Sequence, residues 1–300
     1  MQDNSFVTII CLCYNQENYV AASLFSAINQ DYPFVEVIIV DDFSTDNSKE
    51  TIRKWLLEYP EIQFIANETN LGSTKSFNKA LKLAKGEYII DLACDDILLP
   101  DCVSLQLKVF KESRFKNLGV VYGNAALINE KGSFYFYYFP VDASKKTIEK
   151  RQTGDIYLSV ISGGNSICSV SSMVKKSVFD DLTGYDENLA YEDLDLWIRA
   201  SRMYDFDYID EILIKKRIST TSFGTHFHLK NDARSKKINY STYLIILKAI
   251  RLNRSKTEHK AILKRMHFEM VLAYKTADYK LLLRYILLEI KQRIRIIVAN

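Results

Sequence analysis

Two adjacent carboxylates, Asp95 and Asp96, follow the strand-like run Tyr88–Ala93 after a single residue, Cys94. Two like charges a few ångströms apart disfavour joint ionisation, so a desolvated pair either shifts its pKa or binds a cation. Carboxylate oxygens suit Mg²⁺ or Mn²⁺, and these ions bridge the phosphates of nucleotides. The pair therefore indicates either a metal-diphosphate site or a polar turn at the end of a strand.

A second acidic pair, Asp41 and Asp42, ends another apolar run, Val35–Val40. A carboxylate at the end of a strand can accept a hydrogen bond from a base N–H, such as the N3 position of uracil. The alternative is that the polar residues that follow only cap a helix, which is the interpretation we favour for Asp46. For Asp41 and Asp42 the sequence favours a role in ligand binding.

The third acidic site, Glu192 and Asp193, begins a run with helical spacing. The helix dipole stabilises carboxylates at an N-terminus, so capping alone could explain these residues. The same field keeps a carboxylate ionised and able to accept a proton. Trp197 adds an apolar surface that could pack beneath a sugar ring. Capping and catalysis both stay open for this site.

Alternating strand-like and helical patterns over the first hundred residues predict a parallel α/β sheet. The predicted strands are Val7–Tyr14, Val35–Val40, Ile62–Ala66 and Tyr88–Ala93. Ligands bind at the carboxyl ends of such strands, so Tyr14-Asn15, Asp41-Asp42 and Asp95-Asp96 are expected on one edge. Further on, short strands are predicted at Val120–Tyr122, Ala125–Ile128 and Phe134–Phe139. The glycine motifs of dinucleotide oxidoreductases and P-loop NTPases do not occur, which argues against both classes.

Charge divides the chain near its last quarter. Residues 236–300 carry 15 Lys and Arg against 4 Asp and Glu, whereas the first 235 residues carry 25 against 33. The five cysteines do not have C-x-x-C spacing, and no signal peptide or membrane-spanning run is apparent. The sequence therefore predicts a cytoplasmic protein with a basic C-terminal region.

Taken together, these stretches resemble the family 2 glycosyltransferases, which have the GT-A fold. The matching pieces, in the family's order, are Val7–Asn15, Val40–Ser48, Asn70-x-Gly72 with Asn78, Lys85–Tyr88 leading to Asp95-Asp96, Gly184-x-Asp186-Glu187, and Glu192–Arg199. The resemblance implies an α/β fold with a mostly parallel sheet flanked by helices, a Rossmann-like nucleotide-binding half and a C-terminal helical appendage. We expect a catalytic domain at residues 1–230, divided into a nucleotide-sugar-binding half (1–100) and an acceptor-binding half (101–230), followed by a basic helical region (231–300).

The resemblance also implies an activity, namely inverting transfer of a hexose or N-acetylhexosamine from a nucleotide-diphosphate donor to an acceptor hydroxyl. By family habit the donor is a UDP-sugar, and the setting is synthesis of cell-surface polysaccharide or lipid-linked oligosaccharide. Carried over by position, the donor-binding residues are Tyr14, Asn15, Asp41, Asp42, Asn70, Gly72, Asn78 and Asp95. Asp193 would deprotonate the acceptor with support from Glu192, and Trp197 would contact the acceptor.

The expected metal site departs from the family's pattern in two places. The family's motif is often Asp-x-Asp-Asp, but its first position here is Ala93, so Asp95 becomes the direct ligand of Mn²⁺ or Mg²⁺, with Asp96 alongside. Many members also carry a His after an Arg, whereas Arg217 is followed by Ile218. His226 and His228 are the candidates to replace it, and they would face the same way on a strand.

The C-terminal run Asp278–Val298 has apolar residues at helical spacing with Lys and Arg among them. Such a helix either lies on an anionic membrane surface or packs on the catalytic domain, and the sequence leaves both open. Nucleic-acid binding is not expected, because no recognition motif accompanies the charge. Two rival functions stay open: a catalytically inactive nucleotide- or glycan-binding protein, and a nucleotidyltransferase.

Overall fold

The computed structural model describes residues 5–164, 167–219 and 223–298. The chain forms two compact units: the first comprises residues 1–154, 167–187 and 204–218, and the second comprises residues 155–166, 188–203 and 219–300. Short helices from the middle of the chain thus group with the C-terminal helices. The boundary predicted at residue 230 separates a catalytic domain from a basic region by function and not by compactness, and it stays a prediction.

The first unit contains a mixed nine-stranded sheet in the described part of the chain. Its strands are β1 (Val7–Cys13), β2 (Val35–Asp41), β3 (Gln63–Ala66), β4 (Tyr88–Ala93), β5 (Ile97–Leu98), β6 (Leu118–Ile128), β7 (Phe134–Tyr137), β8 (Ser172–Lys175) and β9 (Asp205–Arg217). Their order is β3-β2-β1-β4-β8-β6-β9-β5, with β7 paired to β6. The β3-β2-β1-β4 half is parallel, and the β4–β8, β8–β6 and β9–β5 pairs are antiparallel.

Ten α-helices occur among the described residues. In chain order they are α1 (Val20–Ile28), α2 (Ser48–Trp55), α3 (Ser73–Leu81), α4 (Cys102–Glu112), α5 (Tyr157–Ser162), α6 (Lys176–Leu182), α7 (Asp193–Ala200), α8 (Ala233–Leu252), α9 (Lys256–Lys275) and α10 (Tyr279–Val298). Two 3-10 helices lie at Ser169–Ser171 and Phe223–His228. Helices α1–α4 and α6 belong to the first unit, and the other α-helices belong to the second.

The parallel half of the sheet confirms the strands predicted in the first hundred residues. Its central strands are mostly apolar, as is typical of buried parallel strands, and Ile9, Ile10, Ile38 and Ile39 are completely buried. Each such side chain stabilises the fold by about 1.5–3 kcal/mol relative to its exposed state. This burial fixes the strands whose ends carry the acidic residues.

The middle of the chain differs from the prediction. The two short strands predicted around Gly123 are one long strand, β6. A Cβ at Gly123 would lie 2.6 Å from Leu213 Cδ1 on β9, so the glycine permits close packing and does not break the strand. Strand β9 and helices α4 and α6 were not predicted.

The second unit is helical, as predicted for the C-terminal region. Helix α9 begins with a capping box, in which Ser255 accepts from the Glu258 N–H and Glu258 accepts from the Ser255 N–H. Helix α10 packs on α9 through a buried face. No helix in the described residues combines the length and apolar character needed to cross a membrane.

Candidate active site

The carboxyl ends of β1, β2 and β4 meet at one edge of the sheet, as predicted. In the parallel register, Cys13 pairs with Asp41 and Leu12 pairs with Ala93. Tyr14-Asn15, Asp41-Asp42 and Asp95-Asp96 therefore all leave the sheet at this edge. We refer to it as the acidic edge. Tyr14 is 47% exposed there, which leaves much of its ring open to solvent.

The loops that follow β1 and β2 are joined by reciprocal hydrogen bonds. The Asn15 N–H donates to Ser44 Oγ at 3.0 Å, and Asn15 Oδ1 accepts from the Thr45 N–H at 2.8 Å. The Glu17 N–H donates to Asp46 Oδ2 at 3.0 Å. Asp46, the residue before the N-cap Asn47, also accepts from the Ser48 N–H at the start of α2, so its carboxylate is engaged in the local turn. The side chain of Asn15 thus shapes the loop pair at the acidic edge.

Asp42 is the organising residue of the loop before α3. Its carboxylate accepts four hydrogen bonds, from Asn67 Nδ2, the Leu71 N–H, the Gly72 N–H and Ser76 Oγ. Asn70 donates to the Asp42 carbonyl oxygen at 3.2 Å. Gly72 has a φ of +86°, a conformation that side-chain-bearing residues rarely adopt. Asp42, Asn70 and Gly72, all predicted donor-binding residues, are therefore brought together, although Asp42 follows β2 and the other two lie between β3 and α3.

Asp41 is completely buried, and its two carboxylate oxygens have different surroundings. Oδ2 accepts from the Ser44 N–H at 3.2 Å. Oδ1 is buried and has no hydrogen-bond partner within the described part of the chain. A buried acceptor without a donor is costly, so this oxygen marks a position that a ligand N–H could satisfy.

Asp95 and Asp96 follow β4 and are held by Arg217 on β9. The Arg217 N–H donates to Asp96 Oδ1 at 2.7 Å, and Arg217 Nε donates to the Asp95 carbonyl oxygen at 3.0 Å. Burial, together with the neighbouring Asp95, raises the pKa of Asp96 to about 7. Burial also raises the pKa of Asp95, although Lys216 and a hydrogen bond from the Gln16 side chain act in the opposite direction. Asp96 is thus engaged by the protein, which leaves Asp95 as the better placed direct ligand.

The chemistry of these residues fits a metal ion held by few protein ligands. No cluster of three or more His, Cys, Asp or Glu with metal-binding geometry occurs among residues 5–164, 167–219 and 223–298. Mg²⁺ in nucleotide sites commonly takes one or two carboxylates and completes its coordination with phosphate oxygens and water. The Asp95 carboxylate at the acidic edge matches this kind of site.

Asp91 on β4 is a titratable residue within the sheet that the sequence analysis did not single out. Tyr185 Oη donates to Asp91 Oδ2 at 3.0 Å, and burial raises the pKa of Asp91 to about 7. The signal in the sequence was a carboxylate inside a strand whose neighbours Ile90 and Leu92 are apolar. Such a residue is rarely tolerated without a hydrogen-bond partner.

Asn78 on α3 holds the Gly184–Glu187 loop. Its amide donates to the Tyr185 carbonyl oxygen at 2.9 Å and to Glu187 Oε1 at 3.0 Å, and its Oδ1 accepts from the Tyr185 N–H at 2.9 Å. Asn78 is buried, and every polar atom of its side chain is engaged in these contacts. Its place in the structure is that of a loop anchor beside the predicted donor site.

In the second unit, Glu192 precedes α7 and Asp193 is its first residue. Asp193 Oδ1 accepts from the Leu194 N–H at 2.6 Å. Asp195, also in the first turn of the helix, is buried and forms ion pairs of 2.7 Å with both Arg199 and Lys248. Asp193 is half-buried, whereas Asp195 is committed to the interior. The roles predicted for Asp193 and Glu192 stay predictions.

Trp197 and the two histidines are also in the second unit. Trp197 is 6% exposed, so little of its ring is available to a sugar, and its contact with the acceptor stays a prediction. The strand predicted for His226 and His228 is wrong, because both lie on a 3-10 helix. His226 Nε2 lies 3.1 Å from Arg234 Nη1, and since arginine only donates, the imidazole accepts this hydrogen bond. The strand argument for a shared metal-binding face therefore no longer applies.

The family model described as glycosyl transferase family 2 matches residues 8–182 of this chain. An uncharacterized glycosyltransferase of Methanocaldococcus jannaschii, MJ1057, is 33% identical over 222 residues, which is 72% of each chain. The poly-beta-1,6-N-acetyl-D-glucosamine synthase of Staphylococcus epidermidis is 28% identical over 205 residues, 67% of this chain and 46% of the synthase. The chain spans about a third of the length of three rickettsial relatives described as uncharacterized glycosyltransferases.

Solved structures with the same fold have low sequence identity to this chain. Residues 1–349 of TarS from S. aureus, in complex with UDP-GlcNAc, superpose with a TM-score of 0.65 at 18% identity and cover 86% of this chain and 70% of that one. The mannosyltransferase PcManGT from Pyrobaculum calidifontis, in complex with GDP-Man and Mn²⁺, gives a TM-score of 0.59 at 18% identity, with 91% and 72% covered. These likenesses confirm the predicted GT-A fold. With the family match over more than half of its length, the chain belongs to glycosyltransferase family 2.

Proposed function

We propose that this glycosyltransferase moves a sugar from a nucleotide-diphosphate donor to an acceptor hydroxyl, with inversion at the anomeric carbon. The observation that carries the proposal is the acidic edge, where the unsatisfied Asp41 Oδ1 lies at the end of β2 and the carboxylate of Asp95 follows β4, the two parallel strands on either side of β1. One suits a base N–H, and the other suits the cation that accompanies a diphosphate.

The proposed donor is a UDP-sugar. A buried carboxylate oxygen that lacks a donor selects a base with an N–H at its Watson–Crick edge, and uracil N3–H meets this requirement. TarS, which shares the fold, is described in complex with UDP-GlcNAc. In this proposal Asp41 and the open ring of Tyr14 contact the base, while Asn15, Asp42, Asn70, Gly72 and Asn78 give the surrounding loops their shape.

The proposed metal is Mn²⁺ or Mg²⁺, bound by Asp95. When bound, it would neutralise charge on the leaving diphosphate. PcManGT, again a relative in fold, is described in complex with Mn²⁺. Asp96 supports this position through its hydrogen bond with the Arg217 N–H, which ties the turn after β4 to β9.

Asp193 is the proposed base. The acceptor hydroxyl gives its proton to the carboxylate as the oxygen bonds to the anomeric carbon, and the bond to the diphosphate breaks with its electron pair. Asp193 is the first residue of α7, where the helix dipole favours a negatively charged side chain. Glu192, directly before it in the chain, is proposed to support the base.

The proposed acceptor is a growing cell-surface or lipid-linked glycan, reached at the inner face of a membrane. The polysaccharide synthase of S. epidermidis among the relatives supports a glycan acceptor. An outward stripe of α10 supports the membrane surface. We define this apolar stripe as Leu283, Leu287, Ile290, Ile294 and Ile297, all of which are exposed. It lies opposite the buried face formed by Leu281, Tyr285, Leu288 and Gln292.

The charge around the stripe matches an anionic surface. Lys280, Arg284, Lys291 and Arg295 follow one side of α10 next to the stripe. The four acidic residues between positions 256 and 298 each have a partner within the protein: Glu258 pairs with Arg202, Glu269 with Arg265 and Glu289 with Arg293, and Asp278, between α9 and α10, accepts from the Leu281 N–H. The positive charge is therefore left to face outward, and each basic residue near an anionic membrane adds about 1 kcal/mol.

The experiment that tests the proposed reaction is release of nucleoside diphosphate from a panel of UDP-, GDP-, ADP- and dTDP-sugars, with Mn²⁺ and with chelator. We expect metal-dependent release of UDP from at least one donor in the presence of glycan acceptors. Binding of UDP without turnover of any donor would favour the inactive binding protein. Formation of a nucleotide sugar and pyrophosphate from a sugar phosphate and UTP would favour the nucleotidyltransferase.

A further inference from the structure

Strand β9 places a lysine opposite the acidic pair. In the antiparallel β5–β9 ladder, Ile97 pairs with Lys215 and Leu98 pairs with Ile214. The same register, continued by one residue, brings Lys216 opposite Asp96. Side chains directly opposite in an antiparallel pair lie on the same face, with Cβ atoms about 4.5–5.5 Å apart. The hydrogen bond from the Arg217 N–H to Asp96 Oδ1 shows that the strands stay in contact at this point.

The ammonium group of Lys216 is the second feature of this position. Within the described part of the chain it forms neither an ion pair nor a hydrogen bond, although it is half-buried and its charge acts on both Asp95 and Asp96. Arg217, the other cation at this position, donates to the carbonyl oxygens of Asp95, Asn129 and Glu130. Lys216 is therefore the cation that remains available to a ligand.

The acidic edge needs such a cation. A nucleoside diphosphate carries two or more negative charges and would be repelled by Asp95 and Asp96 unless positive charge lies between them. A flexible ammonium with three donors is well suited to phosphate oxygens. Lys215, its neighbour along the strand, is exposed and points to the opposite face of β9.

We propose that Lys216 binds the diphosphate of the donor and holds it as the leaving group, as a charge supplied by the protein in addition to any metal ion. This inference rests on the proposed function. Lys216 gives up no proton: when the bond between the anomeric carbon and the diphosphate breaks, the oxygen keeps the electron pair and the ammonium stabilises the added charge.

Calorimetric titration of the full chain with UDP, GDP and uridine, with Mn²⁺ and with chelator, tests the inference on Lys216→Met. We expect its affinity for the diphosphate to fall about tenfold or more in both conditions, which is the loss of one charge-assisted hydrogen bond, while uridine binds as before. Lys215→Met is the matched control and should bind like the original protein. Lys216→Arg should recover most of the affinity.

The outcomes separate the inference from the proposed function. If the original protein binds UDP or GDP and Lys216→Met binds it equally well, the inference on Lys216 is wrong and the proposed function is untouched. If the original protein binds no nucleoside diphosphate, the proposed function fails and the inference fails with it. Unchanged melting temperatures would show that altered binding does not come from unfolding.

Discussion

The two carboxylate oxygens of the buried Asp41 differ in their hydrogen bonds. Oδ2 accepts from the Ser44 N–H, and Oδ1 has no donor within the described part of the chain. In Asp41→Asn the carbonyl oxygen would keep the Ser44 N–H, so the amide would turn its N–H donors toward the unsatisfied position. Two donors facing each other repel, so we expect affinity for uridine to fall about tenfold or more. Calorimetry with uridine measures this change.

The same substitution should not harm the fold, because it removes a buried charge. We expect the melting temperature of Asp41→Asn to equal or exceed that of the original protein. Uridine affinity that stays the same in this variant would remove Asp41 from the base-binding site.

Asp91 gives the fold a specific pH dependence. Its pKa is about 7 in the folded protein, above the ordinary value of about 4 for an unfolded chain, so the folded state retains a proton that the unfolded state has lost. Stability is therefore greatest below the unfolded pKa and declines as the pH rises from about 4 through 7. Asp91→Asn keeps an acceptor for Tyr185 Oη and cannot ionise.

We expect the free energy of unfolding of Asp91→Asn, relative to the original protein, to rise by about 1–2 kcal/mol between pH 5 and pH 8. This is less than the full pKa shift implies, because the Asp91 side chain retains some exposure to solvent. Urea unfolding at both pH values measures it, and the comparison cancels the contribution of Asp96. If the difference in the free energy of unfolding between the two proteins is the same at both pH values, the raised pKa of Asp91 is wrong.

At the scale of elements, the Gly184–Glu187 loop depends on a glycine at its first position. Gly184 has a φ of +74°, and a Cβ there would lie 2.5 Å from Asn78 Oδ1. Gly184→Ala should therefore cost backbone strain and also disturb the Asn78 anchor, for a loss of about 2–4 kcal/mol in the free energy of unfolding. Gly132 has a similar φ of +82° with open space around it, so Gly132→Ala should lose stability only through backbone strain.

Chemical denaturation of the two alanine variants separates the contact from the strain. Gly132→Ala should lose about 1 kcal/mol, and the excess loss in Gly184→Ala measures the anchor. Equal losses would mean that Asn78 can move aside at no cost.

The sequence predicted some elements well and others not at all, for physical reasons. Strands β1, β2 and β4 are largely buried, so they have mostly apolar sequences that can be recognised as strands. Strand β9 is only partly buried and contains Asp205, Asp207, Asp210 and Glu211, so its composition does not indicate a strand. What establishes β9 is its pairing with β6 and β5, which lie far away in sequence.

The acidic edge could be predicted because strand ends of a parallel sheet converge by topology. The roles of its residues could not, since they depend on hydrogen bonds between distant loops. Asp41 and Asp42 look equivalent in the sequence, yet one has an unsatisfied oxygen and the other accepts four hydrogen bonds. Lys216 and Asp91 were missed because their neighbours lie far away in the sequence: β5 pairs with the strand that carries Lys216, and Tyr185 donates to Asp91.

At the scale of the whole molecule, the apolar stripe of α10 makes membrane binding testable. Replacing Ile290 and Ile294 by Ser leaves the buried face of the helix intact, so the variant should fold. Each exposed isoleucine that enters the lipid interface contributes about 1 kcal/mol or more, so the double variant should bind at least tenfold more weakly to vesicles containing phosphatidylglycerol.

Co-sedimentation with phosphatidylglycerol and with phosphatidylcholine vesicles measures this binding, and added salt should weaken it because part of the attraction is electrostatic. Phe268→Ser on α9, also an exposed apolar residue but outside the stripe, serves as the control. If the original protein does not bind vesicles, or if the double variant binds them equally well, the proposal that the apolar stripe binds a membrane is wrong.

The central claim is that separate carboxylates hold the donor and take the acceptor's proton. The measurement that tests it most directly compares Asp95→Ala and Asp193→Asn for both donor binding and rate of transfer, with the donor that turns over. We expect Asp95→Ala to lose metal-dependent donor binding. Asp193→Asn should bind the donor normally but transfer the sugar about 10² times more slowly or worse. Near-normal transfer by Asp193→Asn, or unchanged metal-dependent binding by Asp95→Ala, would contradict the account.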